Sequence, residues 1–184
     1  MNEFSTYEFV VPQKIEGRWK LARIGLIVLY VCFALGTSLF LAIGLSVPQL
    51  VALVPVFTWM LVFFTWRYVA VEYECSITSG ELTFSKIYNN RSRRTVLKLM
   101  LRDALRIAPL NNEVEAQKAD TFLPEREFSA ISSQTAQDVY FILFEYKTGK
   151  ETCRAIFYFE ATQKALQICR FYNPSATVVT KVSR

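Results

Sequence analysis

The hydrophobic pattern of the chain changes twice. After a mixed, charged opening, the stretch from Ile24 to Trp66 contains no Asp, Glu, Lys or Arg and is apolar almost throughout. From Glu72 onward apolar and polar residues alternate in short runs separated by turn signals, and near the C-terminus Ala165, Leu166, Ile168, Cys169 and Tyr172 recur at helical spacing. These three patterns predict three kinds of element in that order.

As one helix the apolar stretch would be roughly 65 Å long, about twice the ~30 Å hydrocarbon thickness of a bilayer, so it must fold back. The break is at Leu45-Ser46-Val47-Pro48-Gln49, where Pro48 suits the first turn of a new helix. The pattern predicts spans at 21–45 and 48–70, forming a two-helix transmembrane hairpin over 21–70. Pro55 lies inside the second span and withdraws the hydrogen bond owed to the carbonyl of Val51, which predicts a kink and a backbone adjustment there. Lys14, Arg18, Lys20 and Arg23 precede the first span and Arg67 follows the second, while the turn between them is uncharged. By the positive-inside rule both termini then face the cytoplasm, with 1–20 as an N-terminal cytoplasmic segment, and Trp19, Trp66 and Tyr68 mark the same boundary. A cleaved signal peptide is the competing reading of the first run, but its apolar part exceeds the usual ~7 to 15 residues and a second span follows at once.

The β pattern begins with Val71–Thr78 and Glu81–Tyr88 around Ser79-Gly80, a two-residue hairpin signal. Further strands are expected at Thr95–Leu101, at Asp103–Leu110 and, weakly, near Ser129–Ser133. Asn111–Phe128 is polar and acidic and reads as a long exposed connection. Asp138–Tyr146 and Glu151–Phe159 flank the turn Lys147-Thr148-Gly149-Lys150; both faces of this pair are apolar, so both should be covered. One cover is the helix expected over 162–172, capped by Thr162 and ended by Asn173-Pro174. The order is thus a membrane α-helical hairpin, a mainly-β domain of about seven short antiparallel strands over 71–174 with its C-terminal helix, and a tail over 175–184.

The run EYECSITSGELTFSKIYNNRSRRTVLKLMLRDALRI looks like the membrane-attached bacterial pleckstrin-homology-like (PH-like) domains, whose first hairpin and third strand read similarly. The ending IFYFEATQKALQICRFYNP resembles a small family of uncharacterised bacterial two-span membrane proteins, in which a strand runs into a helix closed by Tyr-Asn-Pro. Together the similarity covers most of Val71–Pro174. It implies a partly open antiparallel barrel capped by the last helix, and it supplies no activity, cofactor or catalytic residue. Phosphoinositide-binding relatives carry a basic motif across the first hairpin, whereas here that turn is Ser79-Gly80 with Glu81 beside it.

The sequence has 184 residues, a net charge of +5, four cysteines and no histidine. The missing histidine removes the commonest general base and metal ligand, and Ser-His-Asp or Cys-His catalysis with it. Cys32 lies inside a span, and Cys75, Cys153 and Cys169 form no C-x-x-C pair, which reads as free thiols rather than a zinc or redox site. Glu72 and Glu74 alternate with Tyr73 and Cys75 in an ordinary solvent-out pattern. No G-x-x-x-x-G-K-[ST] or G-x-G-x-x-G is present, and Lys147-Thr148-Gly149-Lys150 is more simply a turn than a phosphate loop. No catalytic residue, metal or cofactor is expected, and an enzyme is the least expected class.

Two features could carry binding. Arg91, Arg93, Arg94, Lys98 and Arg102, with Arg106 beyond them, form a positive edge that would suit anionic lipid or an acidic partner, or that is simply a solvated hairpin neutralised by the acidic connection. Ala34, Ser38 and Ala42 form a small-residue stripe for close helix packing, against the second span, a second copy or a larger membrane complex. The expected partners are the bilayer and a membrane or cytoplasmic protein. Nucleic acid is not among them, since the charge is local and no aromatic residues are interleaved for stacking. The expectation is a non-enzymatic two-pass inner-membrane protein presenting an interaction module, with a lipid sensor or an accessory transport subunit as alternatives.

Overall fold

Before the first apolar helix the sequence TYEFVVP alternates, with Tyr7, Phe9 and Val11 on one side and Thr6, Glu8 and Val10 on the other, as a half-buried strand requires. In the computed structural model, which describes residues 6–89, 91–133, 135–148 and 151–182, this segment is strand β1 (Thr6–Pro12). It pairs antiparallel with β2 (Val71–Thr78), from Thr6 opposite Thr78 to Pro12 opposite Glu72. Residues 6–12 are therefore an edge strand of the β unit rather than part of a free N-terminal segment. The helical hairpin is inserted between two strands that pair with each other.

The chain divides into two compact units, Lys14–Val71 and the remainder. In the first, α1 (Gly17–Leu39) continues into a π-helical turn at Phe40–Gly44. The chain reverses through Ser46, whose φ of 53° is left-handed, and re-enters by a 3-10 turn at Pro48–Leu53 before α2 (Val54–Thr65). The two apolar helical stretches, Trp19–Gly44 and Pro48–Tyr68, have 26 and 21 residues. At 1.5 Å per residue both are long enough to cross about 30 Å of hydrocarbon. Most of their side chains are exposed, up to 70% for Leu21 and 75% for Ile43.

Pro55 does not kink a continuous second helix, because α2 begins there, with the proline in its first turn. The Val51 carbonyl that loses its α-helical donor is taken instead by the N–H of Val54 in the 3-10 turn. The hairpin is pinned at both ends by polar contacts. Arg23 donates to the Val69 carbonyl at 2.9 Å, Tyr30 and Thr65 hydroxyls lie 2.6 Å apart, and the Val47 N–H reaches the Leu41 carbonyl at 3.0 Å.

In the second unit, β1, β2, β3 (Glu81–Tyr88) and β4 (Ser92–Met100) form one sheet in that order. The second sheet has the order β5 (Ala104–Pro109), β7 (Val139–Thr148), β8 (Glu151–Glu160), β6 (Arg126–Ala130). The described residues thus form eight strands rather than about seven, in two sheets that do not close into a barrel. The strand expected near Ser129–Ser133 begins at Arg126, and it runs parallel to β8, so the second sheet is mixed. The Gly149-Lys150 part of the expected turn falls outside the described residues.

The strict alternation in β7 and β8 sorts their side chains onto two faces. Tyr140, Ile142, Phe144, Ala155, Phe157 and Phe159 join Leu82, Phe84, Leu99 and Ile107 between the sheets. Helix α4 (Gln163–Tyr172) contributes Ala165, Leu166, Ile168 and Cys169 to the same core, as its spacing predicts. On the other face Phe141, Leu143 and Ile156 meet Ala119 and Phe122 of α3 (Glu113–Phe122). The acidic segment expected as an exposed connection is therefore the second cover of the sheet. Its helix is started by the Asn112 side chain, which accepts from the N–H groups of Val114 and Glu115, and stopped at Leu123-Pro124.

The end of α4 locks the two sheets together. Asn173 is 7% exposed, and its side-chain amide reaches the carbonyls of Leu101, Arg102 and Ala104 at 3.0, 3.3 and 2.9 Å, holding the corner between β4 and β5. Tyr172 lies over the β2–β3 turn at Gly80, where a Cβ would stand 2.8 Å from the Tyr172 ring and φ is +84°. The chain after Pro174 is not a free tail: Ala176 and Val178 exchange backbone hydrogen bonds with Ile107, covering the outer edge of β5. Substituting Asn173→Ala leaves the buried carbonyls of Leu101 and Ala104 short of a donor and should cost about 2 to 3 kcal/mol. Gly80→Ala, which combines left-handed strain with a ring clash, should cost at least about 2 kcal/mol. Thermal melts of the full chain in detergent, followed by near-UV dichroism, check both, and either variant melting like the parent removes the lock from the account.

Candidate functional site

The cations singled out in the sequence do not form one free basic edge. Strand β3 ends at Tyr88, Asn89 turns with φ 50°, and Ser92, Arg93 and Arg94 already belong to β4. Strand pairing displaces them from the loop in which the sequence reading put them. Arg93 donates to Glu74 at 2.5 Å and lies 3.6 Å from Glu8; Lys98 sits 3.5 Å from Glu81 and Arg102 3.6 Å from Asp103. Arg106 makes a two-bond clasp with Glu115 at 2.8 and 2.6 Å. Arg91 is exposed at the hairpin tip, and Arg94 stands exposed on β4 opposite Lys86. Arg93, Lys98, Arg102 and Arg106 are thus each paired with a carboxylate, and of these carboxylates Glu115 comes from the acidic segment expected to neutralise them.

Glu74 departs from the solvent-out reading. It is 3% exposed, and burial, together with the nearby charge of Glu8, raises its pKa against the opposing pull of Arg93. Glu115 is the opposite case. The Arg106 hydrogen bonds, with help from Lys118 at 2.9 Å, outweigh burial and hold its carboxyl at about 2. Through Glu115, α3 is fixed to β5.

The four cysteines are free. Cys75 and Cys169 are buried, and burial pushes both thiols up to about 12, so neither is a thiolate nucleophile near neutral pH. In the hairpin Ala34 and Ser38 are half-buried and Ala42 is exposed in the π-helical turn. The apolar cavity of about 250 Å³ in the hairpin is lined by the neighbouring face, Phe33, Thr37 and Leu41, with Leu50, Val54 and Phe57.

The feature that sequence reasoning missed is a groove beside β1. It has a volume of about 520 Å³ and is lined by Tyr7, Phe9 and Val10 from the strand and by Thr162, Gln163 and Lys164 from the start of α4. The two walls are joined where the Tyr7 hydroxyl meets that of Thr162 at 3.0 Å and the Lys164 ammonium stands 5.3 Å from the centre of the Tyr7 ring. Thr162 also accepts from the Ala165 N–H as the cap of α4. The alternation of Tyr7, Phe9 and Val11 was the available signal, but the groove exists only because β1 and α4, some 150 residues apart, meet.

A β unit of two four-stranded sheets with a C-terminal helix, interrupted by an apolar helical hairpin, defines a PH-like architecture with two candidate membrane spans. Residues 4–179 match the family described as Bacterial PH-like domain (DUF6106), and the chain belongs to that family. No curated protein and no solved structure matches it.

The Glu115 clasp has a definite pH signature. Its folded pKa of about 2 lies below the ordinary 4.5, so its contribution is complete above about pH 4.5 and is lost as pH falls toward 2. The shift corresponds to roughly 3 kcal/mol. Glu115→Gln should lower the melting temperature of the full chain at pH 7 and flatten its decline between pH 5 and 3. A parallel decline in both proteins would show that the clasp contributes nothing on that limb.

Proposed function

We propose that the chain is a non-enzymatic, two-pass inner-membrane protein whose hairpin holds the PH-like unit at the cytoplasmic face as a protein-interaction module. The observation that carries this reading is the pairing of β1 with β2 across the hairpin. A sheet that takes one strand from before the hairpin and its neighbour from after it requires both ends of the hairpin on one side of a bilayer, and the cations at 14–23 and 67 favour the cytoplasmic side. The missing histidine and the two thiols held near 12 support a binding role over catalysis. The carboxylates that engage Arg93, Lys98 and Arg102 count against anionic lipid as the main ligand.

Topology is tested with a membrane-impermeant maleimide on Ser46→Cys and Asn89→Cys in spheroplasts. Position 46 should label in intact cells and position 89 only after permeabilisation; labelling of both from outside overturns the placement. The interaction role is tested with a photo-crosslinking residue at Val10, Leu105 or Leu123, all exposed on the β unit. At least one position should give a discrete adduct in membranes, and none at any of the three removes the module reading.

A further inference from the structure

An unpaired sheet edge is a template for another strand, and proteins ordinarily blunt it with charge, brevity or a covering segment. The four edges of this β unit differ in that respect. The edge of β5 is covered by Ala176–Val178, β6 has five residues including Arg126 and Glu127, and β4 carries Arg93, Arg94 and Lys98. Strand β1 has seven residues and one charge, Glu8, which is turned to Arg93, while Val10 is 43% exposed. It is the least protected edge, and it is the one that borders the 520 Å³ groove.

We infer that this groove binds an extended, acidic segment of a partner protein, which adds as a strand to the free edge of β1. The inference rests on the interaction-module reading above and gives it a site and a ligand class. Alternate residues of an edge strand turn their backbone N–H and C=O groups outward, so an extended peptide gains main-chain hydrogen bonds whatever its sequence. Specificity then comes from the walls. The apolar wall is Tyr7, Phe9 and Val10; the opposite wall presents Lys164 and the first turn of α4, which contains no acidic residue. Among the described residues no carboxylate lines the groove, so both the lysine and the positive end of the ten-residue helix face a ligand of negative charge. Lys164 stands over the Tyr7 face of β1 while Val10 lies on the other, so at the strand period an added segment that alternates acidic with apolar residues sets its carboxylates toward Lys164 and its apolar side chains beside Val10.

The test uses the full chain in nanodiscs and two fluorescent ten-residue peptides, one alternating Val with Glu and the other Val with Lys, read by anisotropy. The acidic peptide should bind at least about tenfold more tightly than the basic one, and Lys164→Glu should remove that preference while lowering the melting temperature by no more than the loss of its contact with the Tyr7 ring, a few degrees. Amide exchange at residues 6–11 should slow when the acidic peptide is added. Equal binding of the two peptides, or binding of neither, overturns the inference. So does protection of 6–11 without peptide in a chain that light scattering shows to be dimeric, which would make a second copy the occupant. If crosslinking yields an adduct at Leu105 or Leu123 while the acidic peptide fails, the groove assignment falls and the interaction module stands.

Discussion

The antiparallel pairing of β1 with β2 is the constraint on which the rest of the structure depends. Thr6 and Thr78 are opposite each other in the sheet, yet 58 residues of helical hairpin and linker lie between the two compact parts of the β unit. Closing so long a loop from an unfolded chain is entropically costly, although the cost grows only slowly with length. The hairpin reduces it, because its helices are local structures and its two ends are already joined where Arg23 reaches the Val69 carbonyl. Once that hairpin exists, the effective loop between Pro12 and Glu72 is a few residues. The inserted apolar stretch therefore lowers the entropic cost of pairing β1 with β2 as well as supplying candidate membrane spans.

Electrostatics serves the same end. Arg93, from the far strand of the first sheet, meets Glu74 of β2 and lies near Glu8 of β1, so one guanidinium bridges three strands of four. Burial first, and the neighbouring charge of Glu8 second, raise the pKa of Glu74, and Arg93 opposes both. The basic stretch Lys86–Thr95 is accordingly used in part as internal mortar. Arg93 has its carboxylates across the sheet and Lys86 stands 5.8 Å from the centre of the Tyr73 ring, where a one-dimensional count of charge cannot see them. Exposed pairs such as Lys98–Glu81 are worth little individually, but each one lowers the positive potential available to an anionic surface.

What was legible in the sequence was what local pattern determines. The apolar run without charge, the Ser79-Gly80 turn, the two-faced β7–β8 pair and α4 with its Thr162 cap and Asn-Pro ending all follow from periods and turn chemistry, and the PH-like resemblance rested on them. Strand β1 was not legible, because its alternation over seven residues is short and its partner lies beyond the hairpin. Helix α3 was hidden by composition, since only Ala119 and Phe122 face the sheet while Glu115 turns to Arg106. Its start was nevertheless written in the sequence, as Asn112 followed three residues later by Glu115. Pro55 was misplaced by assuming one regular helix from Pro48; a 3-10 turn satisfies Val51 and moves the proline to a first turn, where it costs nothing. The groove could not be read, since it joins residues from the two ends of the chain.

These errors share a cause that bears on the function of the fold. The missed elements, β1, α3 and the segment after Pro174, are the ones that decide which faces and edges of the two sheets remain open. Helix α3 closes the outer face of β7 and β8, and Ala176–Val178 closes the edge of β5. Both are polar or irregular stretches that a core-centred reading discards. With them in place, the outer face of β7 and β8 and the edge of β5 are closed, and among the remaining edges β1, beside the capped start of α4, carries the least charge for its length. The two sheets stay open on that side because Asn173 and Tyr172 already hold them at the opposite corner, so the fold does not need a closed barrel to be rigid. A seam left open in a framework fixed elsewhere can accept a strand without unfolding anything, and β1, an edge strand paired on one side only with β2, is its natural boundary.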